Sequence, residues 1–377
     1  MSLVRYLGVG LRRKRAKQVL DVHFPLLIPV TDLRISECDK MLKKLGVTER
    51  DVLRNGSLSL KKKDKEHVKN FIQSSLFTQL EVTHPHHEIL DQILQDLKSH
   101  SSKNYSKTDV VLFWTEKLDK PIETIEEAYC KLHLISMRFK KPHTVNLDGI
   151  FSILPNIAWT NLGPILVDDL EPIRLKAKMA NENIEVSHVD KFPLLVNYHI
   201  PSGVRIVDGD RVRLGAYLGE GTTVMPAGFV NFNAGTLGKA MVEGRISAGV
   251  VIGNGSDLGG GASVMGTLSG GGKEIISIGE QCLIGANAGV GISLGFGCTI
   301  EAGLYLTASS KISLFGQDNQ PINLEGEKVI LGENIFKAYL LSGREKLLFY
   351  RDSVNGRIIA KPNKKKIALN PSLHTKQ

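Results

Sequence analysis

The residues able to do chemistry gather in one glycine-rich stretch of this 377-residue chain. Glu243 stands in the string MVEGRIS beside Arg245, with apolar residues close on both sides. A carboxylate flanked in this way is partly desolvated, which raises its basicity and suits it to take a proton from an attacking group. The same residues also fit a surface carboxylate paired with Arg245. Three more arginines, Arg205, Arg211 and Arg213, crowd the string VRIVDGDRVRLG. They would match a multiply anionic substrate, and they equally fit outward, solvated charges.

Such side chains need a scaffold, and the repeat around them supplies one. Residues 203–316 hold most of the 37 glycines and a single proline, Pro226. Aliphatics recur there at steps of six: Ile206, Val212, Leu218, Val224 and Val230; Ile246, Ile252, Leu258 and Val264; Ile278, Ile284, Val290 and Phe296; Ile300, Leu306 and Ile312. Neither a helix nor a simple strand gives that period, and fixed short periodicity marks a solenoid. Each hexad is one side of a triangular coil, with a short strand, one inward aliphatic and a tight corner favouring Gly, Asn, Asp or Ser. Coils stacked at about 4.8 Å bury a continuous core that one coil alone could not, and the stretch supplies roughly six of them. The phase slips between Val230 and Ile246 and again across LSGGGKE, Leu268 to Glu274. Loops leave a coil at such slips, and sites are built on loops held by a rigid stack.

The fold class is therefore mainly β: a parallel β-helix of hexapeptide repeats at residues 203–316, with an N-terminal α/β domain and a small C-terminal extension. The N-terminal domain, residues 1–145, reads as mostly helical. Leu90, Ile93, Leu94 and Leu97 share one helix face, and Thr124 with Glu127 forms a capping-box pair. Residues 146–202 connect it to the coils, and residues 317–377 form the C-terminal domain.

Several other chemistries are excluded. In GTLSGGGKE, Glu274 follows Lys273 where a phosphate loop needs Ser or Thr, and Thr267 occupies its first glycine position. All eleven histidines lie outside residues 203–316, which leaves no zinc triad on the coils and no histidine base within them. Cys38, Cys130, Cys282 and Cys298 are far apart, without C-x-x-C spacing, and suit a reducing cytosol. No apolar run approaches the roughly 18 residues of a membrane span, and the basic start lacks the apolar core of a secretory signal, so a soluble, cytoplasmic protein is expected. The net charge of +9 would suit nucleic acid, but the runs KKKDKEH and KPNKKK carry no interleaved aromatics. No nucleic-acid or membrane partner is expected; an anionic substrate and the phosphates of a coenzyme use the charge equally well.

Longer strings carry a resemblance. FVNFNAGTLG, MVEGRIS, GTLSGGG and EAGLY inside the repeats, HTVNLDGIFSILPNIAWTN and DKFPLLVNYHIPSGVRI before them, and LLFYRDSVNG and IALNPSLH after them resemble the tetrahydrodipicolinate N-succinyltransferases. The likeness is to the longer branch known from actinobacteria and covers roughly residues 120 to 374. It implies a left-handed coil, a homotrimer and active sites between neighbouring subunits. It also implies the reaction, in which succinyl-CoA, tetrahydrodipicolinate and water give N-succinyl-2-amino-6-oxopimelate and CoA, a step toward diaminopimelate and lysine.

Carried over by motif, Glu243 is the catalytic carboxylate, either a nucleophile forming an acyl anhydride or a general base. The substrate is a dianionic dicarboxylate, which gives Arg205, Arg211 and Arg213 substrate-binding roles. The matching coenzyme positions are Arg245, Gly260, Ser263, Ala286, Glu301, Ala302, Ser309, Lys337, Tyr350, Arg351, Asp352 and Ser353; Ser309 stands where the family has glycine. That branch can hold magnesium on the threefold axis through an aspartate and a glutamate. Asp210 matches the first, but Ala227 replaces the second, leaving one ring of three aspartates. Two other readings stay open at this point: an acetyl-CoA-dependent N-acyltransferase, and a non-catalytic trimeric scaffold.

Overall fold

The computed structural model describes residues 4–52, 55–79, 86–95, 100–101, 105–268 and 274–364. The chain divides into two compact units: Met1–Leu134 with Thr144–Pro193, and Ile135–His143 with Leu194–Gln377.

The first unit rests on a long antiparallel hairpin, Val4–Arg15 with Gln18–Thr31, extended by strands Lys107–Thr115 and Gly56–Ser59. Alternate residues such as Leu7, Val9, Leu26, Ile28, Leu112 and Trp114 bury one face. Against them pack Cys38, Met41 and Leu42 of helix Asp32–Lys44, Val68 and Ile72 of helix Lys65–Gln79, and Leu90 and Leu94 of helix His86–Gln95. The expected apolar stripe at Leu90, Ile93 and Leu94 is the one that packs; Leu97 lies outside the described residues. Burial of each such side chain contributes about 1.5–3 kcal/mol.

Thr124 caps helix Ile125–Ser136, its hydroxyl accepting the Glu127 N–H at 3.2 Å. The Glu127 carboxylate takes the Glu123 N–H at 3.1 Å, one residue before the position a standard capping box would use. It also forms a buried ion pair with Lys131 at 3.0 Å. A second, smaller sheet, Ile157–Thr160, Gly163–Leu166 and Val186–Asp190, packs with helix Val167–Met179.

The second unit is the coil. Strands Arg205–Ile206, Thr222–Val224, Ala240–Val242, Ser256–Leu258, Leu283–Ile284 and Thr299–Ile300 stack in parallel as a first face. Phe229–Val230, Arg245–Ile246, Ser263–Val264, Gly289–Val290 and Tyr305–Leu306 form the second face. Tyr217–Leu218, Gly235–Thr236, Val251–Ile252 and Ser277–Ile278 form the third. The expected hexad aliphatics from Val212 through Val290 point inward and are buried.

Two phase details differ from the sequence reading. Thr236 and Val242 keep the period of six, so the first slip is confined to the step from Val242 to Ile246. Phe296 is not an inward residue; Leu294, 2% exposed, bridges Ile278 in parallel and takes that place. From Leu294 the next step of six falls on Ile300, which restores the phase.

The far end of the stack is closed by hairpin Leu347–Arg351 and Ile358–Pro362, with Phe349 paired above Ile300. Strand Lys311–Leu314 runs parallel to Ile358–Pro362 and antiparallel to Ile335–Lys337. The motif IALNPSLH lies outside the described residues, as do Ser269 to Lys273 of the glycine string.

Candidate active site

The edge joining the first and second faces carries Glu243. Here the chain passes from inward Val242 to inward Ile246 two residues sooner than a regular corner would. Gly244 makes this possible, because a Cβ there would meet the Ala262 carbonyl oxygen at 2.4 Å. The Glu243 N–H donates to the Leu258 carbonyl at 2.8 Å, and the Glu243 carbonyl accepts the Gly261 N–H at 3.3 Å. With both backbone groups tied to the next coil, the direction of the side chain is fixed by the fold.

Glu243 is half-buried, and its Oε2 lies 3.5 Å from the point a Cβ on Gly260 would occupy. Among the described residues its carboxylate has no hydrogen-bond or ion-pair partner. Arg245 is not that partner: its Nε and Nη2 donate to Ser263 Oγ at 3.1 and 2.7 Å, across neighbouring rungs of the second face. The surface-pair alternative for Glu243 is thereby removed.

The expected coenzyme residues fall into two groups. Gly260, Ala286 and Glu301–Ala302 occupy successive corners of the Glu243 edge, tied by Asn287 N–H to the Gly260 carbonyl at 2.9 Å and Gly303 N–H to the Ala286 carbonyl at 2.8 Å. The closing hairpin continues this edge. Glu301 Oε2 accepts the Arg351 N–H at 2.8 Å, and the Lys361 ammonium sits 5.0 Å from the centre of the Tyr350 ring. Asp352 folds the hairpin tip by accepting the Val354 N–H at 2.9 Å, leaving Ser353 exposed. Ser309 and Lys337 lie apart, past the end of strand Tyr305–Leu306. Arg245 and Ser263 occupy the face between the groups.

The three substrate arginines do not form one cluster. Arg205 reaches the Met225 sulfur at 3.8 Å, and Met225 is the rung next to Glu243 on the same edge. Arg211 pairs with Asp208 at 3.3 Å, while Arg213 donates to Asn231 Oδ1 at 3.1 Å over the Phe229 ring. Asp210 is exposed in the turn Gly209–Arg211, and Ala227 is exposed on the next coil. Among the described residues no three His, Cys, Asp or Glu side chains converge as a metal site.

One contact went unread in the sequence. His143, outside the repeats, is carried back to them: its Nε2 lies 2.6 Å from the Gly249 carbonyl and its N–H donates to Asn233 Oδ1 at 2.9 Å. Its φ of 67° is unusual for a non-glycine residue and marks a deliberately held position. The string HTVNLDG was visible, but nothing in its spacing announced this docking.

No helix among the described residues is long and apolar enough to cross a membrane. All four cysteines are buried and free, with Cys282 donating to the Gly295 carbonyl and Cys298 to the Arg344 carbonyl.

Residues 154–193 match the family described as tetrahydrodipicolinate N-succinyltransferase, middle, and residues 275–308 match the hexapeptide repeat of succinyl-transferase. The 2,3,4,5-tetrahydropyridine-2,6-dicarboxylate N-succinyltransferase of Pseudomonas putida is 53% identical over 256 residues, 68% of this chain and 71% of that one. Its counterpart from Vibrio cholerae is 52% identical over 269 residues, 71% and 75% of the two chains. A crystal structure from Campylobacter jejuni, described as a 2,3,4,5-tetrahydropyridine-2-carboxylate N-succinyltransferase, covers 97% of this chain and 94% of its own with a TM-score of 0.82 at 31% identity. The coil is thus the left-handed parallel β-helix of hexapeptide-repeat transferases, and the chain belongs to the tetrahydrodipicolinate N-succinyltransferase family.

Proposed function

We propose that the protein moves succinyl from succinyl-CoA to tetrahydrodipicolinate, giving N-succinyl-2-amino-6-oxopimelate and CoA in the diaminopimelate and lysine route. The observation that carries this reading is the unpartnered Glu243 carboxylate, held over Gly260 at the tightened corner. Water opens the cyclic imine to the 6-oxo amine. The amine nitrogen forms a C–N bond to the thioester carbonyl as the C–S bond breaks, and the CoA thiolate leaves.

As general base, Glu243 takes the amine's proton. As nucleophile, it displaces the thiolate first and the amine then opens the mixed anhydride, restoring the carboxylate. The Gly260 N–H, unpaired among the described residues, is a donor for the developing oxyanion.

Arg205, two rungs from Glu243 with its guanidinium reaching Met225 on the rung between, takes one substrate carboxylate; Arg211 and Arg213 supply the field for the other. The coenzyme lies along the Glu243 edge past Gly260, Ala286, Glu301 and Ala302 to the segment Tyr350, Arg351, Asp352 and Ser353, with Arg245 and Ser263 on the adjoining face. The second group, Ser309 and Lys337, stands apart from the first. That separation supports a homotrimer in which each site is completed by a neighbouring copy. Magnesium does not fit. Asp210 offers one exposed carboxylate and Ala227 a methyl where the second is needed, so no step runs through a metal.

The test is thiol release with succinyl-CoA or acetyl-CoA in the presence of tetrahydrodipicolinate, for the native protein and Glu243→Gln. Consumption of succinyl-CoA alone, lost on substitution, is expected. Preference for acetyl-CoA would overturn the donor, and no release from either thioester would return the protein to a scaffold. Incubation with succinyl-CoA alone, followed by mass measurement of the Glu243 peptide, separates nucleophile from base.

A further inference from the structure

The first face has a second buried column, two residues before its inward aliphatics: Thr222, Ala240, Ser256, Cys282 and Cys298, one on each successive rung. Cys282 and Cys298 directly precede the paired residues Leu283 and Thr299. Their backbones are therefore one parallel-strand spacing apart, about 4.8 Å. That separation lies inside the range a disulfide spans without backbone movement. The two sulfurs already share a hydrogen bond, which holds the Cys298 thiol below its usual range and Cys282 above it; the Leu347 N–H adds to the lowering at Cys298. A thiol so lowered is the more nucleophilic of the pair.

Cys298 also holds the returning C-terminal chain. Its Sγ donates to the Arg344 carbonyl at 3.2 Å and accepts the Leu347 N–H at 3.5 Å, while Cys282 Sγ donates to the Gly295 carbonyl at 3.1 Å. Leu347 opens the strand that carries Tyr350 and Arg351. The Arg344–Leu347 segment thus lies over the Cys298 sulfur, and local opening of that segment is the route by which a small oxidant reaches it.

We propose that Cys282 and Cys298 form a redox modification site: a hydroperoxide closes a disulfide between their two rungs and loosens the returning chain that leads to the coenzyme hairpin. The effect on the coenzyme rests on the reading of that hairpin given above; the cross-link does not. The Cys298 thiolate attacks one oxygen of hydrogen peroxide, the O–O bond breaks, and the leaving hydroxide takes a proton to become water, leaving a sulfenic acid on Cys298. The Cys282 sulfur then attacks the Cys298 sulfur, the S–S bond forms as the S–O bond breaks, and the departing hydroxide takes the Cys282 proton as a second water. Two thiols have lost two electrons and the peroxide has gained them. Cys298 no longer has a proton to give the Arg344 carbonyl, so one contact of the returning chain is lost.

The full protein, treated with hydrogen peroxide and then freed of it, is compared with Cys282→Ala and Cys298→Ala. The readouts are the mass of the tryptic peptide Glu274–Lys311, which holds both cysteines, and KM and kcat for succinyl-CoA. In the native chain the peptide should lose two hydrogens, and KM should rise about threefold, the worth of one net hydrogen bond, with kcat little changed. Dithiothreitol should reverse both. Succinyl-CoA present during the treatment should slow the cross-link severalfold by holding the hairpin closed. In Cys282→Ala the reaction should stop at a Cys298 sulfenic acid that dimedone traps, and Cys298→Ala should start at the raised KM and not respond to peroxide. If the peptide stays reduced while Cys38 or Cys130 oxidises, or the cross-link forms with KM unmoved, the inference fails and the enzyme reading stands. If the untreated native chain turns over no succinyl-CoA, the coenzyme reading falls and takes the KM effect with it, while the peptide mass still decides the cross-link.

Discussion

Gly244→Ala isolates the geometry of the Glu243 corner from its chemistry. The added methyl would sit 2.4 Å from the Ala262 carbonyl oxygen and 3.0 Å from Leu258, about 1 Å inside the 3.4 Å at which ordinary contact begins. The obstructing atom is backbone, held in the ladder by the Arg245 N–H at 2.7 Å, so Ala262 cannot swing aside. The corner must move by something near that overlap, with an overpacking cost of about 1–3 kcal/mol. A displacement of that size at a reacting group lowers turnover by about a hundredfold. Gly253→Ala is the control: its methyl would meet backbone of Gly279 and Glu280 at 2.5 Å, on the edge joining the third and first faces. Both variants should lose similar stability in thermal melts. Only Gly244→Ala should lose kcat in the thiol-release assay. Equal kcat in the two would show that the tightened corner does not aim Glu243.

Glu301→Ala removes the acceptor that holds the Arg351 N–H to the last coil, so KM for the acyl donor should rise severalfold with kcat little changed; an unchanged KM refutes a positioning role for this contact. Lys131→Met strands the buried Glu127 charge and should cost the first unit about 3–5 kcal/mol in urea unfolding, most of it restored in Lys131→Met with Glu127→Gln. Burial alone would raise the Asp109 carboxyl, but hydrogen bonds from Arg12, Lys14 and Ser59 outweigh it and hold it at about 2. Because the folded value lies below the unfolded one, this stabilisation is present above about pH 4 and is lost as pH falls toward 2. Asp109→Asn should start lower and show a flatter acid melt over that window, a difference of about 1 kcal/mol after allowance for solvent.

The coil was legible because a hexad period leaves one inward aliphatic per side, and that constraint is local. Where the period failed, the sequence under-determined the path. Between Val230 and Ile246 the inward residues are Thr236 and Val242, and the Thr236 hydroxyl lies 2.7 Å from that of Thr222 inside the stack; a polar residue hides from an aliphatic count and breaks the run before Val242. Leu294 escapes for a different reason: counting by six from Val290 falls on Phe296, because that side is shortened by two. The motif placed Glu243 and its neighbours on the coils, but the partner of Arg245 was decided by rung register, with Ser263 eighteen residues away in sequence. His143 depended on a segment folding back onto the coils, which no repeat encodes.

The two shortened sides suggest why the phase is broken at all. A regular hexad side spans six residues between inward positions, whereas each of these spans four, a notch in the repeat. The first notch, from Val242 to Ile246, holds Glu243. The second, from Val290 to Leu294, receives the returning C-terminal chain: the Gly343 N–H donates to the Ser293 carbonyl at 2.8 Å, and the Ser293 N–H donates to Ser342 Oγ at 3.1 Å. That docking precedes hairpin Leu347–Arg351, whose Arg351 N–H meets Glu301 and whose Tyr350 continues the Glu243 edge. The irregularities of the repeat are thus the places where a uniform stack acquires a reactive carboxylate and a fixed C-terminal segment, and a sequence with an unbroken hexad through both would keep the fold and lose the site.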